Sequence, residues 1–229
     1  MIRDAIVEIV GLAGSGKSTL GERLRVLAGA APYAPSFGAA LPFLLRRSCI
    51  VVPALLAQPV RGWTLRGIRH LLFHDAVIDD IARRRATGRG LVVLDQGPIY
   101  SVVAAERYVL RGPVRRPLLA HYRATLDRFA DPLDAVVLLD ASDEKLAMRI
   151  ETRGRHHTVK GRSVGEASSF FGEYRISFEQ ILGQIHRTHG VPILRIDTSE
   201  RSTEEVASTA VAMLGEIGVA IRDTNVGPE

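Results

Sequence analysis

The residues Gly11-Leu12-Ala13-Gly14-Ser15-Gly16-Lys17-Ser18 satisfy the pattern G-x-x-x-x-G-K-S without a gap. Their types suit one chemistry. Small residues let backbone N–H groups approach phosphate oxygens, the helix N-terminus beyond them adds a favourable potential, and Lys17 reaches the terminal phosphates. The expected contacts to a bound triphosphate run through Gly11, Ala13, Gly14, Ser15, Gly16, Lys17, Ser18 and Thr19, with Ser18 a magnesium ligand. The alternative for so short a string is a purely structural glycine turn.

A second concentration of charge lies late in the chain. "MRIETRGRHHTVKGR" gathers Arg149, Arg153, Arg155, Lys160 and Arg162 around glycines, and Arg149 and Arg153, four apart, share a helix face. Such a run by itself is commonly a solvated face. Glu8 is a charge within a strand pattern, where an unpaired carboxylate is costly. Either an arginine near the sheet end pairs with it or its side chain reaches the cleft. The pairs His70 with His74 and His186 with His189 have metal-ligand spacing but no convincing third ligand.

These residues need elements to hold them. "AIVEIV" (Ala5 to Val10) is a short β-branched run that ends at Gly11, after which the apolar period turns helical from Ser18 to Leu27. Gly90 to Asp95, Ala135 to Asp140 and Val191 to Asp197 are further apolar runs, each following a helix-length segment and closing on an aspartate. Near-continuous apolar strands spaced by helices predict a parallel sheet covered on both faces, with ligands beyond the carboxyl ends of the strands. The glycine loop and the strand-end aspartates gather there.

Helical spacing also marks Leu65 to Gly88, Ser101 to Leu110, Pro117 to Phe129, Asp143 to Thr152, Glu166 to His189 and Thr203 to Ile217. One α/β domain over 1–218 is expected, with a three-layer fold and a five-stranded parallel sheet. The tail, 219–229, has no periodic face and is expected to be mobile.

Composition narrows the class. Hydrophobic residues at 46% and charged residues at 24% are globular values. Net charge is +5, and of the 30 basic residues only Lys17, Lys145 and Lys160 are lysines. Arginine suits bidentate phosphate contact, although genomic base composition explains the bias equally well. Aromatic residues at 6%, scattered, argue against a nucleic-acid stacking surface. Cys49 is alone, no leader pattern opens the sequence, and arginines and prolines interrupt the most apolar region, Leu41 to Val60. A cytoplasmic protein without a membrane span is expected, and a homodimer is left open.

Asp95 is followed by Gln96-Gly97-Pro98, so the D-x-x-G switch of GTPases fails in register. N-K-x-D and an L-S-G-G-Q-like signature are also absent from the sequence. With "LVVLDQGPIYSVVAAE", "VVLLDASDEKLAMRIETRGR" and "RIDTSERSTEEVA" beside the glycine loop, the chain resembles the thymidylate kinase and deoxynucleoside kinase branch of phosphate-loop kinases.

The resemblance implies an ATP- and magnesium-dependent phosphotransferase acting on a small-molecule acceptor. It makes Asp95 the strand-end acid that orients or deprotonates the acceptor hydroxyl or organises magnesium water, the alternative being a helix-capping aspartate. It makes 149–165 a lid that brings Arg149, Arg153 and Arg155 to the phosphates, and it sets Asp197 to Ser199 beside the adenine. Lys17, Asp95, Arg153 and Arg155 are then the expected catalytic groups, and Ser18 and Asp95 the metal ligands.

Region 30–88 and the helix after Asp95 would bind the acceptor, with Arg46, Arg47, Arg61, Arg66, Arg69, Trp63, Phe73 and Tyr100 as candidates. Gln96 departs from the family, which commonly has arginine there. That departure favours a neutral hydroxyl compound over a nucleoside monophosphate. A sugar, polyol or secondary-metabolite kinase and a regulatory ATPase are the competing readings.

Overall fold

The protein, seen in a computed structural model, is described over residues 5–28, 77–78, 81, 91–95, 97–108, 115–154 and 157–219. Outside these lie Gln96, Arg155, His156, the tail from residue 220, and nearly all of region 30–88, including Arg46, Arg47, Arg61, Trp63, Arg66, Arg69, His70, Phe73 and His74.

Four strands among the described residues form a parallel sheet in the order β2-β1-β3-β4. They are β1 Ile6–Gly11, β2 Val92–Asp95, β3 Ala135–Asp140 and β4 Ile193–Asp197, the apolar runs marked in the sequence. The fifth strand expected is not among the described residues. Strand β4 starts later than Val191 because Pro192 has no N–H to donate; its carbonyl instead accepts from Val136 N–H at 2.9 Å.

Parallel neighbours need crossovers, and helices supply them. Helix α1 Lys17–Ala28 follows β1; α2 Pro98–Tyr108 and α3 Arg115–Ala130 follow β2. Helices α4 Asp143–Glu151 and α5 Val164–His189 follow β3, and α6 Thr203–Glu216 follows β4.

Side-chain alternation on β1 splits the core into two layers. Ile6 and Val10 pack with Val136, Leu138, Phe129, Phe171 and Phe178 on the side of α2, α3 and α5. Val7 and Ile9 pack with Leu20, Leu24, Val137, Leu139, Ala210 and Leu214 on the side of α1 and α6. Each such buried Val, Leu, Ile or Phe side chain contributes about 1.5–3 kcal/mol. A strand covered on both faces has no solvent side, so Glu8 must find its partners inside the protein.

The later helices carry their own stop and start signals. Ser142 caps α4, and Ser163 and Ser202 form capping boxes with Glu166 and Glu205. The Ser163 box explains why α5 starts at Val164 rather than at the expected Glu166. Helix α5 ends on Gly190, whose φ of 69° is left-handed. Its last turn is tied to α3 by His189, 2.9 Å from Asp131 and 3.5 Å from Asp127.

Ahead of α5, the basic turn is fastened to the body. Val159 is buried in the α5-side core, and His157 meets Phe170 edge-on with ring centroids 5.8 Å apart. Gly161 N–H donates to Glu151 at 3.1 Å, and Lys160 Nζ donates to the Arg153 carbonyl at 2.6 Å. Among the described residues no helix is long and apolar enough to cross a membrane.

Candidate active site

The glycine loop joins β1 to α1 at the carboxyl end of the sheet. Gly11 pairs with Leu139, and a Cβ on it would lie 2.0 Å from the Leu139 carbonyl oxygen, so only glycine fits between the strands. Gly14 and Gly16 have φ values of 90° and 94°, which L side chains rarely adopt. Nothing lies within 4 Å of where a Gly16 Cβ would be, so this backbone faces open space. Successive N–H groups in such a turn form an anion cradle at the start of α1.

Lys17 opens α1 and is only 6% exposed. Its Nζ donates to the Leu12 carbonyl at 2.8 Å and stands 5.5 Å from the Tyr100 ring centre. Burial pulls its pKa down to about 8; the Asp95 charge opposes that pull and the Arg153 charge adds to it. Three expected catalytic groups, Lys17, Asp95 and Arg153, therefore share one electrostatic neighbourhood.

Asp95 ends β2 in register with Ile9, and its Cβ lies 3.7 Å from the place of a Cβ on Gly21, where α1 crosses it. Its Oδ1 is buried without a hydrogen-bond partner among the described residues, as is the Ser15 Oγ. Two orphaned oxygens beside a glycine cradle and a buried lysine fit a phosphate chain with magnesium, a hard cation that takes a few protein oxygens and fills its remaining positions with phosphate and water. Ser18, exposed in the first turn of α1, and Asp95 are the residues that would hold the metal.

A cavity of about 320 Å³ opens beside the loop, lined by Gly14, Ser15 and Gly16, by Thr19 of α1, by Arg149 and Arg153, and by Thr198 and Arg201. Arg149 is a strut across it. Its Nη1 donates to the Gly14 carbonyl at 3.3 Å and the Thr198 hydroxyl at 3.0 Å, and its Nη2 to the Thr198 carbonyl at 2.7 Å. These acceptors are neutral, so the cationic charge stays available to the cavity. Arg153 is exposed at the rim, and no carboxylate pairs with it among the described residues. Arg155 lies outside those residues.

Asp197 does not reach this cavity. Its carboxylate accepts from Ser199 N–H at 2.8 Å and the Ser199 hydroxyl at 2.6 Å, which hold its pKa below the usual carboxylate range. Strand alternation turns Asp197 to the α5 face, toward a second cavity of about 550 Å³. There Arg175 is engaged by Asp140 and Asp143, and Arg195 by Glu179. The next residue, Thr198, faces the loop cavity, and its hydroxyl donates to the Ser15 carbonyl at 3.2 Å. Thr198 lies in the segment expected beside the adenine, although its side chain was not singled out, and Arg201 escaped the sequence reading; for Thr198 the alternation of β4, counted one residue further, was the available signal.

Glu8 has the partners that neither expectation named. It is 0% exposed, and its carboxyl accepts from the backbone N–H groups of Ile99 and Tyr100 at 3.2 and 3.1 Å. Burial raises its pKa to about 8, against the pull of those amides and with added repulsion from Asp95. Of the histidine pair His186 and His189, the first bonds the Val191 carbonyl and the second bonds Asp131.

No family model and no curated protein matches the sequence. Solved structures do match, at 14–15% identity, which is a likeness of fold. Thymidylate kinase from Candida albicans is 14% identical with a TM-score of 0.56 over 93% of this chain and 92% of that one. Deoxyadenosine kinase from M. mycoides, solved with bound dATP, is 15% identical with a TM-score of 0.55 over 92% and 99%. The YorR protein from Bacillus subtilis, in complex with phosphorylated GDP, is 14% identical with a TM-score of 0.51 over 92% and 96%. The chain shares the fold of these three structures, two of which are a thymidylate kinase and a deoxyadenosine kinase.

Proposed function

We propose that the protein is a magnesium- and ATP-dependent kinase that transfers the terminal phosphoryl group to a small hydroxyl-bearing acceptor. One observation carries the reading: buried Lys17, the orphaned oxygen of Asp95 and the rim cation Arg153 converge at the glycine cradle. Phosphoryl transfer requires positioning and charge stabilisation more than covalent chemistry, and these groups supply both.

Lys17 leaves the Leu12 carbonyl and donates to the terminal phosphate oxygens. Arg149 and Arg153, with Arg155 from the same basic segment, neutralise charge on the transferring group, while the turn that carries Lys160 and Arg162 closes off water. Asp95 orients the acceptor hydroxyl for in-line attack and receives its proton as the bond to the leaving diphosphate breaks. Magnesium, when bound, adds charge neutralisation at the phosphate oxygens, and Ser18 and Asp95 are its holders. Thr198 and Arg201 border the room left for the base. The competing ATPase reading has no observation of its own.

The acceptor reading follows from Gln96: an uncharged amide beside Asp95 favours a neutral hydroxyl compound, of nucleoside, sugar or polyol type, over a monophosphate. An acceptor panel read by mass spectrometry tests both levels. A kinase yields phosphorylated product in step with ADP. ADP formed without acceptor dependence across the panel would assign an ATPase instead, and efficient turnover of a nucleoside monophosphate would overturn the neutral-acceptor reading.

A further inference from the structure

Glu8 sits in the middle of β1, and none of the chemistry above uses it. Its two oxygens reach past the end of the neighbouring strand. Oε2 accepts from Ile99 N–H and Oε1 from Tyr100 N–H, with Gly97 N–H also drawn toward the carboxyl. The Ile99 and Tyr100 amides are first-turn donors of α2, which have no partner within the helix, and Gly97 is the residue just before it. A Cβ on Gly97 would lie 2.8 Å from the Glu8 carboxyl carbon and 2.9 and 3.0 Å from its oxygens. The turn is closed onto the carboxyl.

Helices α4, α5 and α6 take caps from the serine just before them, at positions 142, 163 and 202. Helix α2 takes its cap from a strand 91 residues away. A local cap completes a helix; a cap from the central strand also fixes where the helix begins. What begins there is the segment after Asp95, and it includes Tyr100, whose ring stands over Lys17. The register sets Glu8 opposite Leu94 and Ile9 opposite Asp95, so the fastening lies one residue from the acid it steadies. A buried carboxyl costs desolvation that an apolar residue would avoid.

We infer that Glu8 is a positioning residue: by capping α2 from within the sheet it fixes the Asp95 carboxyl and the Tyr100 ring about Lys17, without touching substrate itself. The kinetic consequence rests on the kinase reading; the cap does not. Misplacement of a catalytic group by about 1 Å lowers rate by up to roughly a hundredfold, so the expected signature is in turnover, not in nucleotide affinity.

Two variants attack the contact from opposite sides. Glu8→Gln keeps the shape but turns an amide NH₂ toward backbone donors, and Gly97→Ala forces a methyl against the carboxyl. In each, turnover should fall roughly tenfold or more, ATP affinity measured by calorimetry should stay within about threefold, and hydrogen exchange at Ile99 and Tyr100 should quicken while the β1 amides stay protected. Unchanged exchange at Ile99 and Tyr100 would overturn the cap. Faster exchange there with wild-type turnover, or equal losses of ATP affinity and turnover, would overturn the positioning role. If Glu8→Gln does not fold, Gly97→Ala decides by the same readouts. If the wild-type protein binds ATP but phosphorylates no acceptor, the kinase reading fails separately, and exchange alone decides the cap.

Discussion

Arg149 holds Thr198 twice, once through its hydroxyl and once through its carbonyl, and the same hydroxyl reaches on to the Ser15 carbonyl of the glycine loop. The base of the loop is therefore braced from the end of β4. Thr198→Val keeps the shape and removes the hydroxyl, leaving buried groups without partners at a cost of about 1–3 kcal/mol. Thermal unfolding should report that loss, and nucleotide titration a weaker affinity, while Thr198→Ser stays near wild type. A Thr198→Val protein with unaltered stability and affinity would show the brace to be idle.

Lys17→Ala should separate stability from function. The buried ammonium pays for desolvation in the folded state, so its removal should leave the melting temperature at or above that of wild type. Phosphoryl transfer should fall by orders of magnitude, since one oxyanion-directed donor is worth about 2.7–4 kcal/mol of barrier. Near-normal turnover in a folded Lys17→Ala protein would end the phosphate-loop assignment.

The same lysine gives a pH dependence with a defined sign. Its folded pKa is about 8 against 10.5 in the unfolded chain, so between those values the unfolded state binds the extra proton and this group makes stability rise with pH. A bound polyphosphate favours the charged form. Nucleotide binding near pH 8 should therefore take up a fraction of a proton, seen as a calorimetric heat that varies with the ionisation enthalpy of the buffer. Lys17→Ala should abolish that variation.

Asp95→Asn should lower turnover far more than ATP affinity, because the acid serves the acceptor and the loop holds the triphosphate. If ATP affinity alone collapsed, Asp95 would be a loop residue and not an acid.

Arg153→Ala and Arg155→Ala should each reduce the catalytic rate more than they weaken ATP binding, provided their contacts form in the transition state. Parallel losses of rate and binding would reduce the two arginines to ground-state attraction.

The strands and the loop were legible because they obey local rules: apolar runs, a glycine pattern and aspartate ends recur in the structure at nearly the expected bounds. The capping box of Ser163 with Glu166 was legible too, yet apolar spacing alone starts the helix two residues late. The facing side of the Asp197 side chain was not legible, because a one-residue step along β4 reverses it and a motif match does not specify that step. Glu8 was beyond reach for a different reason. Its partners are backbone amides, which carry no sequence signal and lie 91 and 92 residues away.

Helix α5 also has a mechanical meaning. At 26 residues it is a rod of about 39 Å, clasped at one end by His189 against α3 and joined at the other to the basic turn that holds Val159 in the core. Between those ends Phe171 and Phe178 sit in the core and Arg175 is held by Asp140 and Asp143, so the rod is a strut fixed along its length. The basic turn is thereby set at a fixed distance from the far end of α3, as one end of a strut that spans the α5 side of the sheet.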